Sequence, residues 1–385
     1  MTGGVQASPR DGAAGSRPGA GMRFSVDGWD PAYGSSLDLE DYLGESTASV
    51  EVNVELPAGQ WRPVDPDPGQ ALPAALLFVD GVRRIEARVW IDDDIPGGGS
   101  GAGPGGSPSP GRGPGAGPGA GPGGGAATEA SAALCASYAA GVVCCCGQQA
   151  HLVLAETRRG LFTVAPHASD ITTWAGEYTA CRTTANAATP LSVTLSQALQ
   201  RRLGEVEIRT AVAARAAMPG HGVPPDGDLL VVDGPLRGRQ HLPRTLGYIK
   251  SHHSTYLPPE LNALVGALSP GQRTPVFLIG TSWDRHTWYL KLPGETGAPW
   301  AGVVRIECSA DLPVPEVIAL AGLSQLCLGR FASAAYKDAR APQNLYPIAG
   351  LERELRRRLG DPRLLYRALR RTAHAQLTRY DPGSH

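Results

Sequence analysis

The chain has 385 residues, with 35 basic and 36 acidic side chains and a formal net charge of −1. That balance excludes a polybasic protein that holds nucleic acid by bulk charge alone. Its 50 glycines and 34 prolines are collagen-like in bulk, but no strict triplet period accompanies them, which excludes a triple helix.

Residues 1–21 carry almost no large apolar side chain, and residues 97–125 are Gly, Pro, Ala and Ser broken only by Arg112. Neither stretch buries enough surface to offset the entropy of ordering it, so both are predicted to be disordered. Residues 22–380 then form one domain, with 97–125 as a low-complexity insert.

In chain order, residues 22–26 read as a short strand and 27–34 as a turn-rich segment. Residues 50–56 alternate with period two, and 74–79 form a continuous apolar run into Asp80-Gly81. That run is a buried strand delivering a carboxylate at its end. Residues 84–91 alternate again and are predicted to pair with 50–56. Beyond the insert, 133–146 and 151–164 hold further strand segments, with Arg158-Arg159-Gly160 as a turn. The insert then lies at a hairpin tip between antiparallel neighbours, where closure entropy grows only logarithmically with length. Leu191–Ala217 is the clearest helix, with Thr194 or Ser196 as its cap and Pro219-Gly220 as its stop. Asp228–Asp233 is a second apolar strand running into Asp-Gly. Residues 245–250 and 274–279 are strands, and 288–292 with 303–307 a hairpin. Residues 314–322, 326–335, 348–359 and 362–378 are helical. The fold class is α/β, a mixed sheet flanked by helices.

Seven cysteines include three in a row, 144 to 146, and no Cys-x-x-Cys pair. Neither a disulfide framework nor a structural zinc site is expected, and a reducing cytoplasm is. No basic–apolar–small leader pattern precedes the fold and no apolar run of 18 residues appears, so no membrane contact is expected. From Arg353 to Arg379 the chain holds nine arginines against Glu354 and Asp361. They form a solvated helix face or a contact for an acidic partner such as nucleic acid.

The chemistry concentrates in acids. Two separate apolar strands deliver Asp80 and Asp233, and close carboxylates resist joint ionisation unless a divalent metal sits between them. Asp-Gly is equally a tight-turn dipeptide. On the intervening helix, Glu207 falls on the stripe of Leu199, Leu203, Thr210 and Ala214, whereas Glu205 falls with Arg201, Arg202 and Arg209. Glu207 is therefore the core-facing acid, in need of a metal or a cation. Lys250 ends an apolar strand where a cation can hold a phosphate oxygen, and at most one of the adjacent His252 and His253 faces that way. Neither has His-x-x-x-His spacing, so these histidines do not indicate zinc. Arg158, Arg237 and Arg239 lie in predicted turns, solvated or in contact with a nucleic-acid backbone. No phosphate-binding Gly-x-x-x-x-Gly-Lys loop and no Gly-x-Ser-x-Gly elbow is present.

Taken in order, Phe78-Val-Asp-Gly81, helical Glu207, Leu229-Leu-Val-Val-Asp-Gly-Pro-Leu236, the strand into Lys250 and Asn344-Leu-Tyr-Pro347 resemble the NurA-type nucleases. The resemblance spans roughly residues 74–360 without the insert. It implies an RNase H-like sheet and DNA end processing in double-strand break repair, with 5′ to 3′ resection. It also implies a HerA-like hexameric ATPase and a second copy of the chain as partners. By the same resemblance Asp80, Glu207 and Asp233 are metal-binding acids for Mn²⁺ or Mg²⁺, and Tyr346 is an active-site tyrosine. Two divalent ions would activate water and stabilise the leaving 3′ oxygen, with Lys250 steadying the phosphate. The family's histidine, eight residues beyond the tyrosine, is Glu354 here, a fourth metal-binding carboxylate that cannot serve as an imidazole base. The rival readings are a DNA- or partner-binding module without turnover and a metal-dependent nucleotide phosphatase.

Overall fold

The computed structural model describes residues 48–92, 130–147, 149–186, 188–251, 255–294 and 300–377. The N-terminal segment with its expected strand at 22–26, the insert 97–125, and His252 and His253 lie outside the described residues.

Eleven strands form one sheet: β1 (Ser49–Glu51), β2 (Ala75–Asp92), β3 (Ala130–Cys146), β4 (Gln149–Thr163), β5 (Ile171–Thr173), β6 (Gly176–Arg182), β7 (Asp228–Asp233), β8 (Thr245–Ile249), β9 (Phe277–Gly280), β10 (Asp284–Lys291) and β11 (Val303–Ser309). Their spatial order is β1-β9-β10-β11-β8-β7-β2-β3-β4-β6-β5. Among the described residues five α-helices accompany them: α1 (Leu191–Ala217), α2 (Pro259–Gly266), α3 (Val314–Leu328), α4 (Tyr346–Arg358) and α5 (Pro362–Leu377). The centre is an antiparallel meander, β2-β3-β4, followed by α1 and by β7 and β8. Both later strands run parallel to β2, which is the RNase H-like α/β arrangement expected.

Two expected turns are not turns. β2 runs through Asp80 and Gly81 without a break and pairs with β3 along its length, with one irregularity between Ile85 and Ala87. Residues 84–91 therefore pair with β3 rather than with 50–56, of which β1 keeps only the first two residues and pairs with β9. Likewise Arg158-Arg159-Gly160 lies inside β4, opposite Tyr138, Ser137 and Ala136. In both places glycine allows close approach instead of a bend. A Cβ on Gly160 would stand 2.8 Å from the Phe162 ring, and one on Gly81 would collide with Glu207 and with Leu203 Cδ1 at 2.7 Å. Gly234, at φ +106°, does end its strand.

The helices cover both faces. Alternation in β2 sends Leu77 and Val79 toward α1, where they pack with Ala211 and Ala214. Leu76 and Phe78 go to the other side, with Leu320 of α3 and Ile348 of α4. α1 keeps its expected bounds, but its cap is Pro190: Thr194 donates to the Pro190 carbonyl and makes no cap bond. α3 is continuous where two helices were expected. With the turn that follows, residues 314–331 are long and apolar enough to span a membrane by composition, at mean hydropathy 1.2. In this fold Val317, Leu320, Ala321 and Cys327 of that helix are core residues against β10 and β11.

Candidate metal centre

β2 and β7 are parallel neighbours whose last registered pair is Val79 with Val232. Asp80 and Asp233 follow that pair directly, and pleating aims both at the face covered by α4. From α4 comes Glu352. One carboxylate oxygen from each of Asp80, Asp233 and Glu352 lies within 4.8 Å of the others.

Two cations border the cluster. Lys250, just past β8, donates to Asp233 Oδ2 at 2.6 Å and to Asn344 Oδ1 at 3.2 Å. Arg340 donates to both Glu352 oxygens, at 3.2 and 3.1 Å. They are joined around the cluster, because Asn344 Nδ2 donates to Asp338 Oδ2 at 2.6 Å and the Arg340 amide donates to Asp338 Oδ1 at 2.8 Å. Asn344 is fully buried. Its amide thus fixes the position of one cation against the anchor of the other.

Asp80 is the group left over. Its Oδ1 accepts from the Gly81 amide at 2.7 Å, while its Oδ2 is buried without a hydrogen-bond partner. Burial first, then Asp233 and Glu352, push its carboxyl well above the ordinary aspartate value, and Lys250 opposes this only in part. For Lys250 burial works against the charge, but Asp233 and Asp80 outweigh it and hold the ammonium above its usual value. An orphaned, buried carboxylate oxygen amid two further carboxylates fits a dication. The donors are all hard oxygens, which suits Mg²⁺ or Mn²⁺ rather than a thiolate-seeking metal.

The other expected site residues fall elsewhere. Glu207 is buried on α1 as its helical phase requires, and Glu205 is an exposed partner of Arg202. Glu207, however, lies over Gly81, on the face of β2 opposite to the Asp80 side chain. It pairs with Arg239 in a bond that buries both groups, at 8% and 11% side-chain exposure. Glu207 is thus outside the three-acid cluster, a correction that follows from strand alternation. Burial raises its carboxyl, with Arg239 opposing. Arg239 is accordingly no free phosphate contact, being spent on Glu207 and the Pro235 carbonyl. Arg158 lies exposed along β4, bonded to Glu156 at 2.6 Å, and Arg237 is exposed beyond β7.

Glu354 is corrected as well. It points along the surface of α4 to Arg357 at 3.2 Å and Arg358 at 2.9 Å. Tyr346 is 40% exposed, accepts from the Ala334 amide at 3.1 Å, and shares with Glu354 a separate apolar cleft of about 810 Å³ that none of the three clustered acids lines. The acid α4 does supply is Glu352, missed from the sequence. It stands four residues after Ile348 and three before Leu355, both fully buried. The spacing rule that selects Glu207 on α1 therefore selects Glu352 on α4.

No protein-family model matches the chain, and no curated protein matches it. Among solved structures it is similar to the crystal structure of the NurA nuclease from Sulfolobus solfataricus, at 8% identity and a TM-score of 0.36, over 77% of this chain and 81% of that one. At that level the likeness is one of coarse architecture, and the acidic cluster stands on its own geometry.

Proposed function

We propose that this protein is a divalent-metal-dependent DNA nuclease, and the observation that carries the reading is Asp80 Oδ2, buried and unpartnered between Asp233 and Glu352. Asp80, Asp233 and Glu352 would hold Mg²⁺ or Mn²⁺. Such an ion, when bound, supplies Lewis-acid charge at a scissile phosphate and lowers the pKa of water. Lys250, bonded to Asp233, would stabilise negative charge developing on the phosphate. Arg340 and Asn344 orient Glu352 and Lys250 before substrate arrives. DNA as the substrate is supported by the exposed arginines of α4 and α5, including Arg356, Arg357, Arg363, Arg367 and Arg370. End processing in the cytoplasm with a HerA-like ATPase, and pairing with a second copy, extend this reading on the motif resemblance alone.

The test is cleavage of labelled single- and double-stranded DNA in Mn²⁺, in Mg²⁺ and in chelator, beside a nucleotide phosphatase control. The reading requires metal-dependent DNA cleavage. One observation favours a second reading: Lys250 and Arg340 already compensate Asp233 and Glu352 without any ion. DNA bound but left uncut at saturating Mn²⁺ would establish a binding module instead, and nucleotide hydrolysis alone a phosphatase.

A further inference from the structure

A second group of ligating side chains lies at the far end of the β3–β4 hairpin and plays no part in the acidic site. Cys144 and Cys146 are two apart on β3, so both project to the α1 side of the sheet. His151 stands on β4 directly opposite Cys144, and Gly147, just past the end of β3, adopts φ +80°. The Cys146 sulfur is 4.0 Å from His151 Nδ1, and one ligating atom from each of the three residues lies within 4.8 Å of the others. His151 Nε2 is buried without a hydrogen-bond partner. The ring of His221, exposed at the end of the turn that follows α1, is 5.2 Å from that of His151, centroid to centroid.

We propose that Cys144, Cys146 and His151 form a structural zinc site, and that His221, which lies outside that 4.8 Å group, moves in on binding as the fourth ligand and so ties the β3–β4 hairpin tip to the end of α1. Zinc takes sulfur at about 2.3 Å and imidazole nitrogen at about 2.0 Å in a tetrahedron. That geometry needs a sulfur–nitrogen separation of about 3.5 Å, so the observed pair has to close by only about half an ångström. The sequence lacks Cys-x-x-Cys, but Cys-x-Cys on a strand with a cross-strand histidine gathers the same donors. Soft sulfur donors favour zinc over the hard cations that suit Asp80, Asp233 and Glu352. The alternative use of this pair, as reactive thiols, is opposed by its surroundings, because Cys144 is fully buried and out of reach of solvent reagents. Zinc binding releases both thiol protons to solvent and changes no oxidation state. The helix that pairs Glu207 with Arg239 along its length is then anchored by metal through the turn at its C-terminal end.

The experiment uses the full chain purified under reducing conditions, with Zn²⁺ and Co²⁺ as probes. Wild type is expected to carry one zinc and, with cobalt, to show thiolate charge-transfer absorption together with intense tetrahedral d–d bands. The all-oxygen acidic cluster cannot give the charge-transfer band. Cys146→Ser and His151→Asn should each weaken zinc binding on the order of a hundredfold or more, since even outer-shell changes cost 10- to 100-fold. Cys145→Ser, on the opposite face of β3, should leave binding unchanged, and His221→Ala should weaken it about tenfold or more. Equal zinc affinity in wild type, Cys146→Ser and His151→Asn would overturn the site, as would a Cys144–Cys146 disulfide in the reduced protein. An unaltered cobalt spectrum in His221→Ala would overturn the fourth ligand. Cys144→Ser is avoided because that side chain also packs the core.

Discussion

Asp80 and Gly81 are consecutive residues of one strand, yet the acids they meet are used in opposite ways. On the α1 face, over Gly81, Glu207 has one guanidinium of its own, and the two side chains keep only 8% and 11% exposure. On the α4 face, Asp80 shares space with Asp233 and Glu352, whose cations are Lys250 and Arg340, and its own Oδ2 has no partner. A buried acid matched one to one with a cation is a piece of structure, costly to break and of little net worth against an apolar pair. A buried acid in a cluster short of cations stores an electrostatic cost that a bound dication removes.

The largest effect expected from that contrast is at Asp80. Asp80→Asn should lower metal-dependent cleavage by more than about a hundredfold, and in chelator it should raise stability. The sign follows from its elevated carboxyl. A group whose folded pKa lies above its unfolded value contributes stability below the unfolded value and loses it as pH rises toward the folded one. Wild type and Asp80→Asn should therefore have similar denaturation midpoints below pH 3.8, where the ordinary carboxyl is protonated. The gap should widen in favour of the variant as pH rises above that value. Mn²⁺ should raise the wild-type melting temperature and leave that of Asp80→Asn unchanged. A variant less stable than wild type at neutral pH in chelator would remove the charge deficit from the explanation.

On the other face the balance reverses. Glu207→Gln leaves Arg239 buried opposite a neutral group and should cost about 3 kcal/mol of stability. Cleavage per folded molecule should fall far less than in Asp80→Asn. The double change Glu207→Met with Arg239→Met should recover most of that stability, because it removes both buried charges together. Chemical denaturation of the single and double variants reads this directly. If Glu207→Gln instead abolishes cleavage at full stability, Glu207 belongs to the metal centre after all.

Periodicity explains which parts of this were legible in the sequence. The α1 stripe places Glu207 inside and Glu205 outside, and apolar runs with Asp at one end locate β2 and β7 and hence the two aspartates. What periodicity cannot supply is the sheet face. Because Asp-Gly is a turn signal, the sequence pattern ends this strand at Asp80. In fact Gly81 continues the strand and receives Leu203 and Glu207 against its backbone. A strand that continues puts neighbours on opposite sides, and this single fact removes Glu207 from the cluster. The connections of Asn344, Asp338 and Arg340 are equally invisible, since they depend on an irregular segment folding back over strand ends far away in sequence.

The smallest predicted effect tests α4, where two glutamates two residues apart have different fates. Glu352 touches the cluster, so Glu352→Gln should raise the Mn²⁺ concentration needed for half-maximal cleavage about tenfold or more. It should also loosen Arg340, whose guanidinium spans both Glu352 oxygens at 3.2 and 3.1 Å. Glu354, by contrast, makes only i+3 and i+4 pairs with Arg357 and Arg358, whose side chains are 82% and 44% exposed. Water and salt screen such pairs, and they contribute a few tenths of a kcal/mol at most. Glu354→Gln should accordingly leave the metal midpoint unmoved and shift stability by that small amount at low salt, with the difference vanishing as salt is raised. Installing histidine at 354 should change the metal midpoint no more than glutamine does, because the side chain leaves the helix on the wrong side to reach Asp80. A metal titration in which Glu354→Gln moves the midpoint as far as Glu352→Gln would mean that α4 is rotated from the arrangement in which Ile348, Leu351 and Leu355 form its buried stripe.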